Sequence, residues 1–175
     1  MKKLIVIFPG IGYGLDSPLL YFADFLYETN GYERIHMNYQ SIFSDRELSL
    51  DNKLEKVRAY IFEQVKDVGF ALYDEVVFLS KSIGSMEAGI LARRLGIEII
   101  QIFITPIEDA ISYCSHNSYV IIGTQDKAYQ IYKEFCDENN IKALYIDAAN
   151  HSLEVANKPY ESIDVLKSVM KFIER

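Results

Sequence analysis

Short apolar runs, rich in β-branched residues, alternate with amphipathic stretches along the whole chain, and that alternation leaves few folds open. Leu4 to Phe8 is continuous and apolar, the pattern of a strand covered on both faces. Ser17 to Glu28 predicts a helix, with Ser17 as its cap and Pro18 in its first turn. Ile35 to Asn38 predicts a short second strand. Leu50, Leu54, Val57, Ile61 and Val65 share one face of a long helix. Val76 to Leu79 is a third strand, and Ile83 to Leu95 a helix stopped by Gly96. Strands at Ile97 to Ile104, Tyr119 to Ile122 and Ala143 to Ile146 follow, with helices at Asp126 to Asn139 and Pro159 to Phe172 between and after them. This order predicts an α/β fold: about six strands in a mostly parallel sheet, with helices on both faces. The 175 residues suit one domain, 1–175. Only the stretch between Pro106 and Ser118 has room for an inserted lid, and it is too short for more than one or two helical turns.

Half of the residues are apolar and the net charge is −7, so a sizeable core is available. No Lys/Arg patch is visible for neutralising phosphates, so a nucleic-acid partner is not expected. Cys114 and Cys136 are too few for a disulfide scaffold and lack metal-ligand spacing, so both are expected as reduced thiols. Met1-Lys2-Lys3 superficially imitates a signal peptide, but the apolar run after it ends at Pro9-Gly10, too short for an export signal. No window reaches the roughly 18 apolar residues of a membrane span. A soluble cytoplasmic protein is expected.

The chemistry concentrates in three segments. In Ser80-Lys81-Ser82-Ile83-Gly84, an apolar strand runs into a helix with small residues around a central serine. A nucleophilic hydroxyl must stand clear of the backbone, and a sharp strand-to-helix turn projects it; strand and helix then lie close, so the flanking positions must be small. Helix capping by Ser82 is the competing use of that residue. Ile121-Ile122-Gly123-Thr124-Gln125-Asp126 presents a carboxylate after another apolar strand, with an N-cap as its plain alternative. Ala148-Ala149-Asn150-His151-Ser152 presents an imidazole after the last strand. His116 lies in a polar stretch and His36 within a predicted strand; both are poorer candidates for a base. Asp147 is the runner-up acid. Pro9-Gly10-Ile11-Gly12-Tyr13-Gly14 after the first strand has the spacing G-x-G-x-G, not the G-x-G-x-x-G of a dinucleotide loop, and no Walker lysine follows it.

Together these segments resemble the α/β-hydrolase family, in particular its small lidless members. The nucleophile elbow of that family is G-x-S-x-G, and Ser80 stands here for the first glycine. The family order of serine, acid and histidine is matched by Ser82, Asp126 and His151. The resemblance implies a sheet in which the second strand lies outside the first, while the serine strand flanks the first on its other side. It implies a catalytic triad of Ser82, Asp126 and His151, with oxyanion donors on the backbone of Ile11 (less readily Gly12) and Ile83. It implies hydrolysis of a small ester or thioester through an acyl-enzyme, with no metal or cofactor. Tyr13, Tyr39 and Ile107 are expected to line an open site, and Lys81 to face solvent. The alternative is a catalytically inactive scaffold that serves as a binding or interaction module.

Overall fold

The computed structural model describes residues 1–174. Six strands form one sheet: β1 (Lys3–Phe8), β2 (Glu33–His36), β3 (Glu75–Lys81), β4 (Ile100–Ile104), β5 (Ser118–Gly123) and β6 (Lys142–Ile146). Their order is β2-β1-β3-β4-β5-β6 and every neighbouring pair is parallel. The expected order holds, and the sheet is wholly rather than mostly parallel. Six α-helices accompany it: α1 (Pro18–Thr29), α2 (Gln40–Ser44), α3 (Leu50–Val65), α4 (Gly84–Leu95), α5 (Tyr129–Asn139) and α6 (Pro159–Ile173).

Strand alternation sorts the core. Ile5, Ile7, Val77, Leu79, Ile102 and Ile104 point to the face covered by α1 and α6. Leu4, Val6, Phe8, Val76 and Phe78 point to the opposite face, against α3 and α4. Phe103, Val120 and Ile122 extend that second layer under α5. Burial on both faces is why these strands read as continuous apolar runs.

The expected elements differ from the observed ones mainly at their ends. The fourth strand begins at Ile100, and residues 97–99 connect it to α4. The segment after Pro106 forms one short 3-10 helix, Glu108–Tyr113, and no lid. Ser17 caps α1 only through its backbone, since its side chain makes no capping bond. No helix among the described residues is long and apolar enough to cross a membrane.

Candidate active site

The carboxyl ends of β1, β3, β4, β5 and β6 converge on one edge of the sheet. The strand order reverses between β1 and β3, which opens a crevice above that pair. β3 runs straight through Ser80 and Lys81, and α4 starts at Gly84, so Ser82 is left at the corner. Its φ is 55°, a left-handed conformation that a side-chain-bearing residue adopts only at a cost. The tight corner requires the small residues around it. A Cβ on Gly84 would lie 2.5 Å from the Phe8 carbonyl oxygen, and one on Gly10 would meet Ser82 Cβ at 3.0 Å. Ser80 fits in the same corner, fully buried, with its hydroxyl donating to the Ile102 carbonyl.

Capping is not what Ser82 does: the side chain makes no cap bond, while its carbonyl accepts from Ser85 N–H. Instead Ser82 Oγ lies 2.9 Å from His151 Nε2, and His151 Nδ1 lies 2.6 Å from Asp126 Oδ2. An ionised carboxylate only accepts, so the proton of a neutral ring sits on Nδ1. Nε2 is then free to accept from the Ser82 hydroxyl. The Asp126 side chain is fully buried, whereas the His151 side chain is 44% exposed. Burial pushes the Asp126 carboxyl up. The bonds from His151 and the Ala128 N–H, with the charges of His151 and Lys81, outweigh it and hold the carboxyl below its usual value. Asp126 Oδ1 also accepts from Ala128 N–H at the entry to α5, so one side chain serves both the turn and the histidine.

Two loops are clamped to make this contact. A Cβ on Gly123 would fall 2.1 Å from the Ala149 carbonyl oxygen, so acid loop and histidine loop touch through bare backbone. Thr124 Oγ1 accepts from Ala148 N–H and donates to Asp147 Oδ1, and Gln125 N–H donates to the Ala149 carbonyl. Asp147 thus ties the loops together and makes no contact with His151. His116 lies at the opposite edge of the sheet, beside Asn117, and His36 pairs with Asp24 at 2.7 Å.

Lys81 corrects the sequence reading. It is 1% exposed, not solvent-facing, because β3 is central in the sheet and its last residue still pairs with Ile104 of β4. On the α1/α6 side, Lys81 Nζ donates to Thr105 Oγ1 and, at 2.8 Å, to the carbonyl of His151, and it lies over the Tyr13 ring. Burial pulls its ammonium down to about 8, against the pull of the Asp126 charge. Sequence order alone concealed this contact, since it joins residues from β3, β4 and the loop after β6.

Among the described residues, the backbone N–H groups of Ile11 and Ile83 make no hydrogen bond. Gly10 and Tyr13 exchange both of theirs across the turn that carries Ile11. Of the residues expected to line the site, Tyr13 is half-buried at the edge, with its hydroxyl oxygen accepting from Leu19 N–H. Ile107 is half-buried and its carbonyl accepts from the Tyr132 hydroxyl. Tyr39 cannot line anything: it is 1% exposed and its hydroxyl braces the Pro9 carbonyl at 2.7 Å. Cys114 and Cys136 are both free, and burial pushes the Cys114 thiol up to about 12.

No family model and no curated protein sequence matches the chain. Solved structures do. A protein of unknown function from Agrobacterium tumefaciens superimposes with a TM-score of 0.69 at 17% identity, over 99% of this chain and 84% of the other. Dienelactone hydrolase from Anabaena variabilis gives 0.68 at 13% identity, over 98% and 85%. An a/b serine hydrolase without lid from Xanthomonas campestris gives 0.61 at 14% identity, over 98% and 80%. Sheet order, layers and these superpositions agree that the chain has the α/β-hydrolase fold, and among the described residues the segment after Pro106 adds only one short 3-10 helix.

Proposed function

We propose that this chain is a serine hydrolase that cleaves a small ester or thioester through an acyl-enzyme. The observation that carries the reading is the unbroken line from Asp126 through the His151 ring to Ser82 Oγ, with contacts of 2.6 and 2.9 Å. In the forward step His151 Nε2 takes the hydroxyl proton as Ser82 Oγ bonds to the carbonyl carbon, and Asp126 stabilises the imidazolium. The carbonyl oxygen becomes an oxyanion that accepts from the N–H groups of Ile83 and Ile11. The imidazolium then protonates the departing alcohol or thiol, and a water molecule repeats the sequence to release the acid.

Lys81 acts as a positioning residue in this scheme. Its bond to the His151 carbonyl holds the histidine loop from below, and its charge favours the ionised Asp126. The exposed imidazole and the absence of a lid among the described residues favour small or protruding acyl groups. The net charge of −7 disfavours strongly anionic substrates.

A fluorophosphonate probe tests the reading. Wild type should be labelled, Ser82→Ala should not, and a panel of short acyl esters and thioesters should then be turned over. A folded wild-type protein that takes no label would instead be a binding module on the same scaffold.

A further inference from the structure

An apolar cleft of about 280 Å³ opens at the carboxyl edge of the sheet, between the first turns of α1 and α6 and the loop that follows His151. Tyr13, Phe22, Leu153, Ile163 and Leu166 form its walls, with Ser152 and Glu154 at the histidine loop. Four other clefts lie at the amino-terminal edge of the sheet, around Lys3 and Glu75, Asn117, Val76 and Lys2. None of them is lined by a residue of the β3–α4 corner, the acid loop or the histidine loop. The cleft between α1 and α6 stands at the reacting edge.

Two observations join it to the chemistry. Its floor residues Ser152 to Glu154 continue directly from His151, and Asn150 holds that segment by accepting from Ser152 and Glu154 N–H. Its Tyr13 wall lies 5.0 Å from Lys81 Nζ, and the same ammonium holds the His151 carbonyl. The cleft therefore lies on the α1/α6 face, where Ala149, Leu153 and Val155 of the histidine loop pack, whereas Ile83 leads into α4 on the opposite face.

Proton bookkeeping then decides which part of a substrate goes there. The proton that His151 Nε2 receives from Ser82 must pass to the departing oxygen or sulfur. The leaving group accordingly lies on the imidazole side of the carbonyl carbon, while the carbonyl oxygen turns toward the amides. We infer that this cleft binds the apolar body of the leaving group, a neutral alkyl or aryl alcohol or thiol of roughly four to eight carbons. The size follows from a volume at the lower end of ligand pockets. Glu154 at the rim excludes an anionic tail. Phe22 and Ile163, 45% and 60% exposed, leave the mouth open to a group that protrudes from a larger substrate. This inference rests on the serine-hydrolase reading.

The test uses two substrate series. In S-alkyl thioacetates from ethyl to octyl, kcat/KM should rise about fourfold per methylene until the cleft is full. In S-ethyl thioesters of acids of increasing length the rise should be absent. Ile163→Trp, a change at an exposed position of the cleft wall, should flatten the first series. A rise in the acyl series that Ile163→Trp removes would overturn the assignment, as would a thiol series that the variant leaves intact. A second measurement needs no turnover. In Ser82→Ala protein, 1-hexanol should shift the amide resonances of Ser152 to Glu154, Phe22 and Ile163, and ethanol should not. Fluorophosphonate labelling without these hexanol shifts sinks the cleft alone. Hexanol shifts in a wild type that takes no label sink the hydrolase reading and keep the cleft as a site for apolar alcohols.

Discussion

The two edges of the sheet handle left-handed backbone in opposite ways. At the amino edge, the chain leaves α1, α4 and α5 through Gly31, Gly96 and Asn140, with φ of 78°, 63° and 53°. These residue types adopt that conformation cheaply. At the carboxyl edge, beside Gly12 and Asn157, the positive φ values fall on Ser82, Thr105, Ala148 and Leu153. Each of these costs roughly 1–2 kcal/mol. Charged groups divide the same way. The amino edge carries exposed pairs such as Lys2 with Glu33, worth little in water. The carboxyl edge buries Lys81, Thr105 and Asp126 together. Strain and buried charge at one edge, and neither at the other, mark where the fold gives up stability to hold groups in place.

The largest expected effect tests that contrast at its centre. Asp126→Asn removes the only charge that both fixes the His151 tautomer and stabilises its cation, and kcat should fall by about 10⁴-fold. Asp147→Asn, at an exposed residue that touches Thr124 and not His151, should leave kcat near wild type. Reversal of the two results, read from steady-state hydrolysis of a short ester, would make Asp147 the acid. Gly123→Ala comes next. Its Cβ would meet the Ala149 carbonyl oxygen at 2.1 Å, so the histidine loop must move. Stability should drop by about 1–3 kcal/mol in denaturant melts, and the folded fraction should show a lowered kcat with an unchanged KM. An unaltered kcat would show that the two loops are not coupled.

The sequence made the strands legible because a parallel sheet covered on both faces must be apolar throughout, as in Leu4 to Phe8. The corner at Ser82 was legible from the small residue Gly84 beside it, and the acid and histidine loops from their place after apolar strands. Lys81 was not. A lysine reads as solvent-facing until the strand order is known, and its burial follows from β3 being paired on both sides through its last residue. Tyr39 failed for a related reason: a loop aromatic at the right edge points inward here to brace Pro9. Such errors are of direction, which tertiary packing decides, and no periodicity encodes it.

Lys81 also gives the next prediction. Its ammonium is pulled from 10.5 to about 8 by burial, a penalty of about 3 kcal/mol at neutral pH. Because the folded value lies below the unfolded one, the unfolded chain holds the extra proton between them. Wild-type stability should therefore gain a rising contribution from about pH 8 to about 10.5. Lys81→Met removes that penalty together with the bonds to Thr105 and His151, so its stability at neutral pH should stay within about 1 kcal/mol of wild type. Its alkaline rise should vanish, and kcat should fall roughly tenfold or more as the histidine loop loosens. A variant that loses the rise but keeps full kcat would leave Lys81 with no part in positioning.

The smallest effect isolates strain itself. Ala148 is exposed, has φ of 55° and sits on the loop that carries His151. Ala148→Gly relieves the conformation without removing packed surface. Against the extra entropy of glycine in the unfolded chain, the net gain should be roughly 0.5–1 kcal/mol. Gly96→Ala makes the mirror change at the amino edge, where an added Cβ meets nothing within 4 Å and only the φ of 63° is at issue. It should cost about 1 kcal/mol and leave kcat alone. If strain at the carboxyl edge serves to hold the imidazole, the stabilised Ala148→Gly should be the slower enzyme. Equal kcat values in the two variants would mean that the left-handed residues of that edge follow from its tight loops and do no positioning.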